Sequence, residues 1–171
     1  MNIVLTGFMG TGKTAVGRHL ADRLQVSFFD VDAEIVRRAG KPVERIFADQ
    51  GEPAFRELER QVISEAAARD RTVIATGGGA LVDPRNRSDL ERSSLMVCLN
   101  ARTGTLLERL KDDATRPLLA GENLPAKIER LMKERESIYT GCRYQVATDG
   151  KTIAEVADEI IQQITPEWKK P

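Results

Sequence analysis

The chain has 171 residues and a mass of 19.0 kDa, which predicts one domain, because a domain usually contains roughly 100 to 200 residues. Hydrophobic residues make up 41% and charged residues 30%, which is typical of a globular protein with a buried core and excludes global disorder. The 26 basic residues balance the 26 acidic ones, so no overall positive charge is available to attract nucleic acid or an anionic membrane.

The N-terminal residues and the cysteines indicate the compartment. The sequence from Met1 lacks the basic, apolar and small-residue regions of a secretory signal, and its longest apolar stretch, 73–82, is far short of the roughly 18 residues of a membrane span. Cys98 and Cys142 are too few for a disulfide framework, and with the single histidine His19 they complete no zinc set at ordinary spacing. We predict a cytoplasmic monomer that binds neither nucleic acid nor membranes.

Short strand patterns alternate with helical patterns along the chain. Helical spacing of apolar residues, as in Val16, Leu20 and Leu24, predicts helices between the strands. Strands and helices in alternation favour an α/β fold with a parallel sheet covered by helices on both faces. Runs of β-branched or aromatic residues predict the strands at Ile3–Thr6, Val26–Phe29, Val73–Thr76, Leu95–Leu99 and Tyr144–Thr148.

The first strand leads into a phosphate-binding motif. Residues 7–14, GFMGTGKT, match the pattern G-x-x-x-x-G-K-[ST] and lie between a predicted strand and a predicted helix. Backbone amides in such a loop point at an anion, while Lys13 can reach the outer phosphates and the Thr14 hydroxyl can ligate Mg²⁺. A glycine-rich turn is the alternative. We predict that a nucleoside triphosphate binds through Gly10, Thr11, Gly12, Lys13, Thr14 and Ala15.

Two carboxylates follow the second predicted strand. Asp30 comes directly after Phe29 and is the candidate ligand for the Mg²⁺ that accompanies a nucleoside triphosphate. Asp32 projects on the same side if the chain stays extended, which would place both carboxylates near the phosphates. The alternative role for either residue is the N-cap of a helix that begins near Ala33, and capping and function can coexist.

The segment 33–68 has enough helical pattern for two or three helices, and Gly77, Gly78 and Gly79 follow the third predicted strand. Ligands bind at the carboxyl ends of strands in open α/β sheets, so the glycines could let a backbone amide approach a substrate. A tight strand-to-helix turn explains them about as well.

The C-terminal third contains a loop and two more helices. Residues 111–124 mix Pro, Gly and charge and predict a mobile loop before a helix that opens at Pro125. The sequence TIAE at 152–155 predicts a capping box for the last helix, and Trp168 beyond it is interpreted as a packing residue. The predicted apolar stripe of that helix is Ile153, Val156, Ile160 and Ile164.

The order and spacing of the motifs resemble those of shikimate kinases over nearly the whole chain. The resemblance rests on the P-loop, on Asp30–Asp32 and on four further segments: GEPAFRELE at 51–59, the triple glycine at 77–79, RPLLAG at 116–121 and RESIY at 135–139. It implies a three-layer α/β/α P-loop kinase fold with a five-stranded parallel sheet, similar to that of nucleoside monophosphate kinases. It also implies one kinase domain over residues 1–171, with a substrate-binding helical insert at about 33–61 and a lid at about 112–124.

The resemblance implies transfer of the γ-phosphoryl group of ATP, with Mg²⁺, to the 3-hydroxyl of shikimate in aromatic amino-acid biosynthesis. Arg56 and Arg135 match the family's carboxylate-binding arginines, and Glu59, one helical turn after Arg56, would hold the Arg56 side chain. Asp32 and the glycines match the family's hydroxyl contacts, and Asp32 could also accept the proton of the substrate hydroxyl. Without the family pattern, a solvated, ion-paired helix face is the favoured interpretation of Arg56 to Arg60.

The nucleotide side of the site follows from the same resemblance. Arg116 matches the arginine of the lid, which would close over the phosphates and assist Lys13 during phosphoryl transfer. Arg109 and Pro117 match positions that line the adenine. Without the family pattern, an arginine before a proline in a polar loop is usually only solvated.

The sequence argues against four rival functions. A gluconate kinase-like enzyme shares the P-loop and the size, but the Arg56–Glu59 group and the triple glycine argue against it. A nucleotide-dependent switch is disfavoured because the sequence has neither Asn-Lys-x-Asp nor Asp-x-x-Gly, and a protein kinase is excluded by length and by the lack of His-Arg-Asp. A nucleotide-binding module without turnover is disfavoured by the intact set of Lys13, Asp30 and Arg116.

Overall fold

The computed structural model describes residues 1–111 and 123–168. In this part of the chain the strands are β1 (Asn2–Thr6), β2 (Ser27–Asp30), β3 (Thr72–Ala75), β4 (Ser94–Asn100) and β5 (Tyr144–Ala147). The helices are α1 (Lys13–Leu24), α2 (Val31–Ala39), α3 (Val43–Ala67), α4 (Pro84–Ser93), α5 (Thr103–Leu110), α6 (Leu124–Thr140) and α7 (Ile153–Ile164), with a single 3-10 turn at Ala80–Val82. The strand predictions are confirmed, with ends that differ by at most one residue.

The strands form one sheet in the order β2-β3-β1-β4-β5, and every neighbouring pair is parallel. The central strand β1 pairs with both β3 and β4, so that Val4 lies opposite Ile74 on one side and Met96 on the other. Parallel strands end at the same edge of a sheet. The segments that follow the neighbouring strands β2, β3 and β1 therefore lie side by side at that edge.

Helices cover both faces of the sheet, as alternating side chains require. Ile3 and Leu5 of β1 belong to a core formed with α1 and α7, whereas Val4 belongs to a core formed with the other helices. Both cysteines are buried in this second core. The three-layer α/β/α architecture with a five-stranded parallel sheet is therefore confirmed.

The segment after β2 contains three helical pieces, as predicted. α2 is followed by α3, which changes direction at Gly51, where φ is +80° and Pro53 follows two residues later. A positive φ is costly for residues with a side chain, so glycine permits the kink. After this kink, α3 continues to Ala67, beyond the expected end of the insert at residue 61.

Helix termini agree with the sequence except in two details. The capping box of Thr152 and Glu155 is present at α7, and Asn123 accepts a hydrogen bond from the Ala126 amide, so that α6 begins one residue before Pro125. Ile153 is 46% exposed and was wrongly included in the apolar stripe of α7. It is the first residue of the helix, one turn before the buried Val156 and Ala157. Trp168 packs in the core beside α7, as predicted.

No helix in the described ranges is both long and apolar enough to cross a bilayer.

Candidate active site

The P-loop adopts a conformation that only glycine permits at its first residue. Gly7 has φ +127°, and a Cβ there would lie 2.2 Å from the Leu99 carbonyl oxygen of β4. The Lys13 ammonium donates to the carbonyl oxygens of Gly7 and Phe8 at 2.9 and 2.8 Å, so it already lies inside the curve of the loop. Lys13 is 9% exposed, and the amino end of α1 begins at this residue.

A cavity of about 250 Å³ opens beside this loop. It lies where the segments after β1, β2 and β3 meet, which is where a ligand of an open α/β sheet is expected. The sequence predicted all but one of its lining residues, which are Gly10, Gly12, Lys13, Thr14, Ala15, Asp30, Asp32, Thr76 and Gly78.

Asp30 joins the P-loop to the start of α2. One carboxylate oxygen accepts from the Thr14 hydroxyl at 2.7 Å, and the other caps α2 by accepting from the Ala33 amide at 3.0 Å. A hydroxyl and a carboxylate in contact are the oxygen ligands that Mg²⁺ prefers. Within the described residues no group of three or more acidic, histidine or cysteine side chains could hold a metal. A nucleotide-bound Mg²⁺ needs only one or two protein ligands, so Thr14 and Asp30 fit it.

Asp32 reaches the cavity by a different route from the predicted one. The chain does not stay extended after Asp30, because Asp30 rather than Asp32 caps α2 and the helix begins at Val31. Asp32 therefore lies in the first turn of α2. Its Oδ1 atom nevertheless lies 2.8 Å from the position that a Cβ on Gly77 would occupy, so the carboxylate faces the triple glycine.

The triple glycine is explained by close approaches of other groups. A Cβ on Gly77 would lie within 3.0 Å of the Asp32 and Glu59 carboxylates, and one on Gly79 would lie 2.8 Å from an Arg56 nitrogen. A Cβ on Gly78 would lie 3.0 Å from the Met9 amide nitrogen. The P-loop, α2 and α3 therefore all approach the three glycines at 77–79 that follow β3, which we call the glycine loop.

Arg56 on α3 is held by two carboxylates. Its guanidinium donates to Glu59 at 2.7 Å and to Glu52 at 3.0 and 3.1 Å. Glu59 is 1% exposed, and burial raises the pKa of its carboxyl, while Arg56 acts in the opposite direction. Its second oxygen, Oε1, makes no hydrogen bond to another described residue. Glu52 and Glu59 therefore hold the Arg56 side chain, 27% of which remains exposed.

Arg135 on α6 reaches the same glycine loop from the other side. It is 6% exposed, donates to the Gly78 carbonyl oxygen at 3.2 Å and lies over the Phe8 ring at 5.9 Å. The structure therefore places the guanidinium groups of Arg56 and Arg135 at successive residues of one loop, although they are far apart in the sequence.

The remaining candidate residues lie partly beside the P-loop and partly outside the described residues. Arg109 donates to the carbonyl oxygen of Gly10 and to both oxygens of Thr148, and so connects the P-loop to the end of β5. Thr11 is buried, and its hydroxyl donates to the Phe8 carbonyl at 2.8 Å, so its side chain supports the loop instead of lining the cavity. Arg116 and Pro117, with most of the expected lid, lie outside the described residues.

Sequence reasoning gave no role to two residues at this site. Thr76 lines the cavity and hydrogen-bonds the Leu5 carbonyl through its amide and its hydroxyl. The Tyr139 hydroxyl donates to the Gly78 carbonyl oxygen at 2.5 Å. Tyr139 could have been found from its spacing, since it lies four residues after Arg135 and thus on the same helical face.

Comparisons with known proteins agree with this geometry. The shikimate kinase family model matches residues 9–165. A shikimate kinase of Geobacter sulfurreducens is 46% identical over 159 residues, which cover 93% of this chain and 88% of the relative. The structure of a shikimate kinase from Acinetobacter baumannii in complex with shikimate superposes with a TM-score of 0.95 at 39% identity, covering 99% of this chain and 95% of that one.

A gluconokinase from Sinorhizobium meliloti superposes with a TM-score of 0.64 at 20% identity, covering 96% of this chain and 91% of that one. At this identity the likeness shows a shared fold and nothing more.

Proposed function

The chain belongs to the shikimate kinase family, and we propose that it transfers the γ-phosphoryl group of ATP to the 3-hydroxyl of shikimate. One observation carries this proposal beyond family membership. Two guanidinium groups and two carboxylates converge on the glycine loop beside the P-loop. Shikimate has one carboxylate and three hydroxyl groups on a small ring. The two guanidinium groups match the carboxylate, and Asp32 with the glycine-loop amides matches the hydroxyl groups.

The proposed substrate contacts divide by charge. Arg56 and Arg135 would bind the carboxylate of shikimate, because planar guanidinium groups donate paired hydrogen bonds to that anion. Asp32 would accept hydrogen bonds from the hydroxyl groups of shikimate, and the amides of the glycine loop would donate to them. Glu59 would not touch the substrate, and its buried contact at 2.7 Å would keep Arg56 in place.

The proposed nucleotide contacts lie on the other side of the cavity. The P-loop amides and Lys13 would bind the phosphates, and Thr14 and Asp30 would hold Mg²⁺. Bound there, Mg²⁺ would offset the charge of the phosphate oxygens. Phosphoryl transfer depends mainly on positioning and charge stabilisation, so Asp32 need only orient the 3-hydroxyl and accept its proton late.

Arg109, Arg116 and Pro117 complete the proposal on the nucleotide side. Arg116 would assist Lys13 in offsetting charge on the transferred group, and residues 112–124 would exclude water. Arg109 and Pro117 would line the adenine. For Arg109 the observed contact with the Gly10 carbonyl supports a position beside the P-loop.

We also propose that the enzyme acts as a monomer in the cytoplasm without a nucleic-acid partner. The balanced charge and the two free, buried cysteines support this proposal. Sedimentation equilibrium at micromolar concentration measures the assembly state directly, and a mass near 38 kDa, about twice that of the chain, would contradict the monomer.

An acceptor panel tests the proposed activity. The purified chain is incubated with Mg²⁺ and ATP, and release of ADP is measured with shikimate, with gluconate and without an acceptor. We expect release that depends on shikimate alone. Turnover of gluconate without turnover of shikimate would contradict the assignment, and shikimate binding without any turnover would favour the non-catalytic module.

Lys13→Met is the matched control for this assay. It removes the ammonium beside the P-loop carbonyls while keeping a long unbranched side chain. We expect turnover to be lost with every acceptor, whereas shikimate binding measured by calorimetry should persist. Retained turnover would contradict the placement of Lys13 on the phosphates.

A further inference from the structure

We propose that Tyr139 is a positioning residue. It would fix the glycine loop, and with it the contact between Arg135 and that loop, for substrate binding. The inference rests on the proposed function, because the loop matters for catalysis only if shikimate binds there. Tyr139 is not among the residues that line the P-loop cavity, and it would act through the Gly78 carbonyl group, to which its hydroxyl donates.

Two donors from α6 meet at the carbonyl oxygen of Gly78. The carbonyl oxygen accepts from the Tyr139 hydroxyl at 2.5 Å and from an Arg135 nitrogen at 3.2 Å. A carbonyl oxygen has two lone pairs, so these two donors use its full capacity. Tyr139 and Arg135 lie one helical turn apart on α6, and a single rigid element therefore supplies both donors.

This carbonyl shares a peptide group with the Gly79 amide. The carbonyl of Gly78 and the amide N–H of Gly79 lie in one plane, so fixing the oxygen also fixes the direction of that N–H. In the described part of the chain, neither amide of Gly78 and Gly79 donates to another backbone group. Hydrogen bonds to a carbonyl polarise its peptide group, which makes the Gly79 amide a better donor.

Glycine gives this loop little stiffness of its own. A Cβ at each of the three positions would lie within 3.0 Å of a neighbouring group, and glycine has more backbone freedom than any other residue. The Ala80 amide closes the turn on the Gly77 carbonyl oxygen at 3.2 Å, and the Tyr139 hydroxyl adds a contact from outside the loop to the central peptide of that turn. Tyr139 is 9% exposed, and burial raises its pKa to about 12, so that its hydroxyl remains a protonated donor throughout the working range of pH.

A matched pair of variants tests the inference. Tyr139→Phe removes the hydroxyl and keeps the ring, and Tyr144→Phe makes the same change at the other tyrosine, whose hydroxyl contacts Glu167 away from the site. The loss of one hydrogen bond predicts a rise of about threefold to tenfold in the KM for shikimate of Tyr139→Phe. The KM for ATP should stay within about twofold in both variants.

A spectroscopic measurement gives a readout that does not depend on turnover. Glycine labelled with ¹⁵N reports on all 13 glycine amides. In Tyr139→Phe we expect the Gly79 amide resonance to move, because its peptide group has lost a hydrogen bond, whereas Tyr144→Phe should leave it in place.

The outcomes separate this inference from the proposed function. A wild-type chain that releases no ADP with shikimate contradicts the function itself. An active wild type with an unchanged KM for shikimate in Tyr139→Phe overturns the inference. It is equally overturned if Tyr139→Phe fails to fold, or if both KM values rise together with a fall in melting temperature, because the hydroxyl would then serve the fold in general.

Discussion

At the scale of single residues, Asp30 has two contacts that are usually considered alternatives. Its carboxylate caps α2 through the Ala33 amide and accepts from the Thr14 hydroxyl of the P-loop. A capping oxygen leaves the second oxygen of the same carboxylate available for another partner. The cap thus holds that second oxygen beside Thr14, where the proposed Mg²⁺ would bind.

Substitution of Asp30 separates these two contacts. Asparagine is about as good an N-cap as aspartate, so Asp30→Asn should change the free energy of unfolding by less than about 0.5 kcal/mol. Asp30→Ala loses the cap and should lose about 1 kcal/mol. Both variants lack the charge, so the Mg²⁺ concentration for half-maximal activity should rise about tenfold or more. Urea denaturation and a Mg²⁺ titration measure the two effects, and an unchanged Mg²⁺ requirement would exclude Asp30 as a ligand.

Arg56 offers a second test at this scale. Arg56→Ala removes charged hydrogen bonds worth about 1.5 to 3 kcal/mol, which predicts a fall in kcat/KM for shikimate of roughly tenfold to a hundredfold or more. Nucleotide affinity should be mostly retained. Arg37→Ala is the control, because Arg37 is also paired with a glutamate but is 71% exposed on α2. Unchanged kinetics in Arg56→Ala would remove this residue from the substrate site.

At the scale of elements, the glycine loop shows how three segments limit each other's side chains. Gly79 must be small because the guanidinium of Arg56 on α3 approaches to 2.8 Å from its Cβ position. That contact is with the end of a flexible side chain, which can move away. At Gly7 the nearest atom is instead a backbone oxygen of β4, which cannot move without the sheet. Substitution of Gly79 should therefore affect binding more than folding.

Gly79→Ala tests this expectation. The new methyl group should displace Arg56, so we expect the KM for shikimate to rise about tenfold or more while the KM for ATP changes little. Gly104→Ala is the matched control, because no atom lies within 4 Å of its Cβ position and the residue lies in α5. This control should raise stability by up to about 1 kcal/mol and the melting temperature by about 2 to 4 °C. A large loss of stability in Gly79→Ala would contradict the expectation.

At the scale of the whole molecule, acidic groups paired on the surface set the response to acid. Arg37 and Arg38 hold the pKa of Glu34 at about 2, below its ordinary value of 4.5. Glu59 acts in the opposite sense, because burial raises its pKa. Lowered pKa values are more numerous, and they extend to Asp49, Glu65, Asp70, Asp83, Asp89, Asp149 and Glu155.

The sign of the pH effect follows from these directions. A carboxyl with a lowered folded-state pKa contributes stability that is present above its unfolded value and is lost as the pH falls through the folded value. We therefore expect the urea concentration at the midpoint of unfolding to decrease as the pH is lowered from 4.5 to 2. Glu34→Gln should be less stable than the wild type at pH 7, and this difference should shrink towards pH 2. A constant difference across that range would contradict the role of Glu34.

The sequence determined the local structure of the chain and the chemistry of the P-loop. The order of strands and helices, the capping box at Thr152 and the phosphate-binding loop depend on neighbouring residues, so their patterns can be read directly. The proposed carboxylate-binding role of Arg56 and Arg135 was reached only through the family resemblance, because Arg56 by itself fits an ion-paired helix face.

The tertiary structure alone decided how these segments meet. The sheet order places β3 between β1 and β2, and this brings the triple glycine against Asp32 and the P-loop. It also decided that Asp30 caps α2, that Ile153 is exposed and that the Tyr139 hydroxyl supports Gly78. The physical reason is that pairing between distant strands and packing of helices on a sheet depend on contacts across the whole chain, which no local pattern specifies.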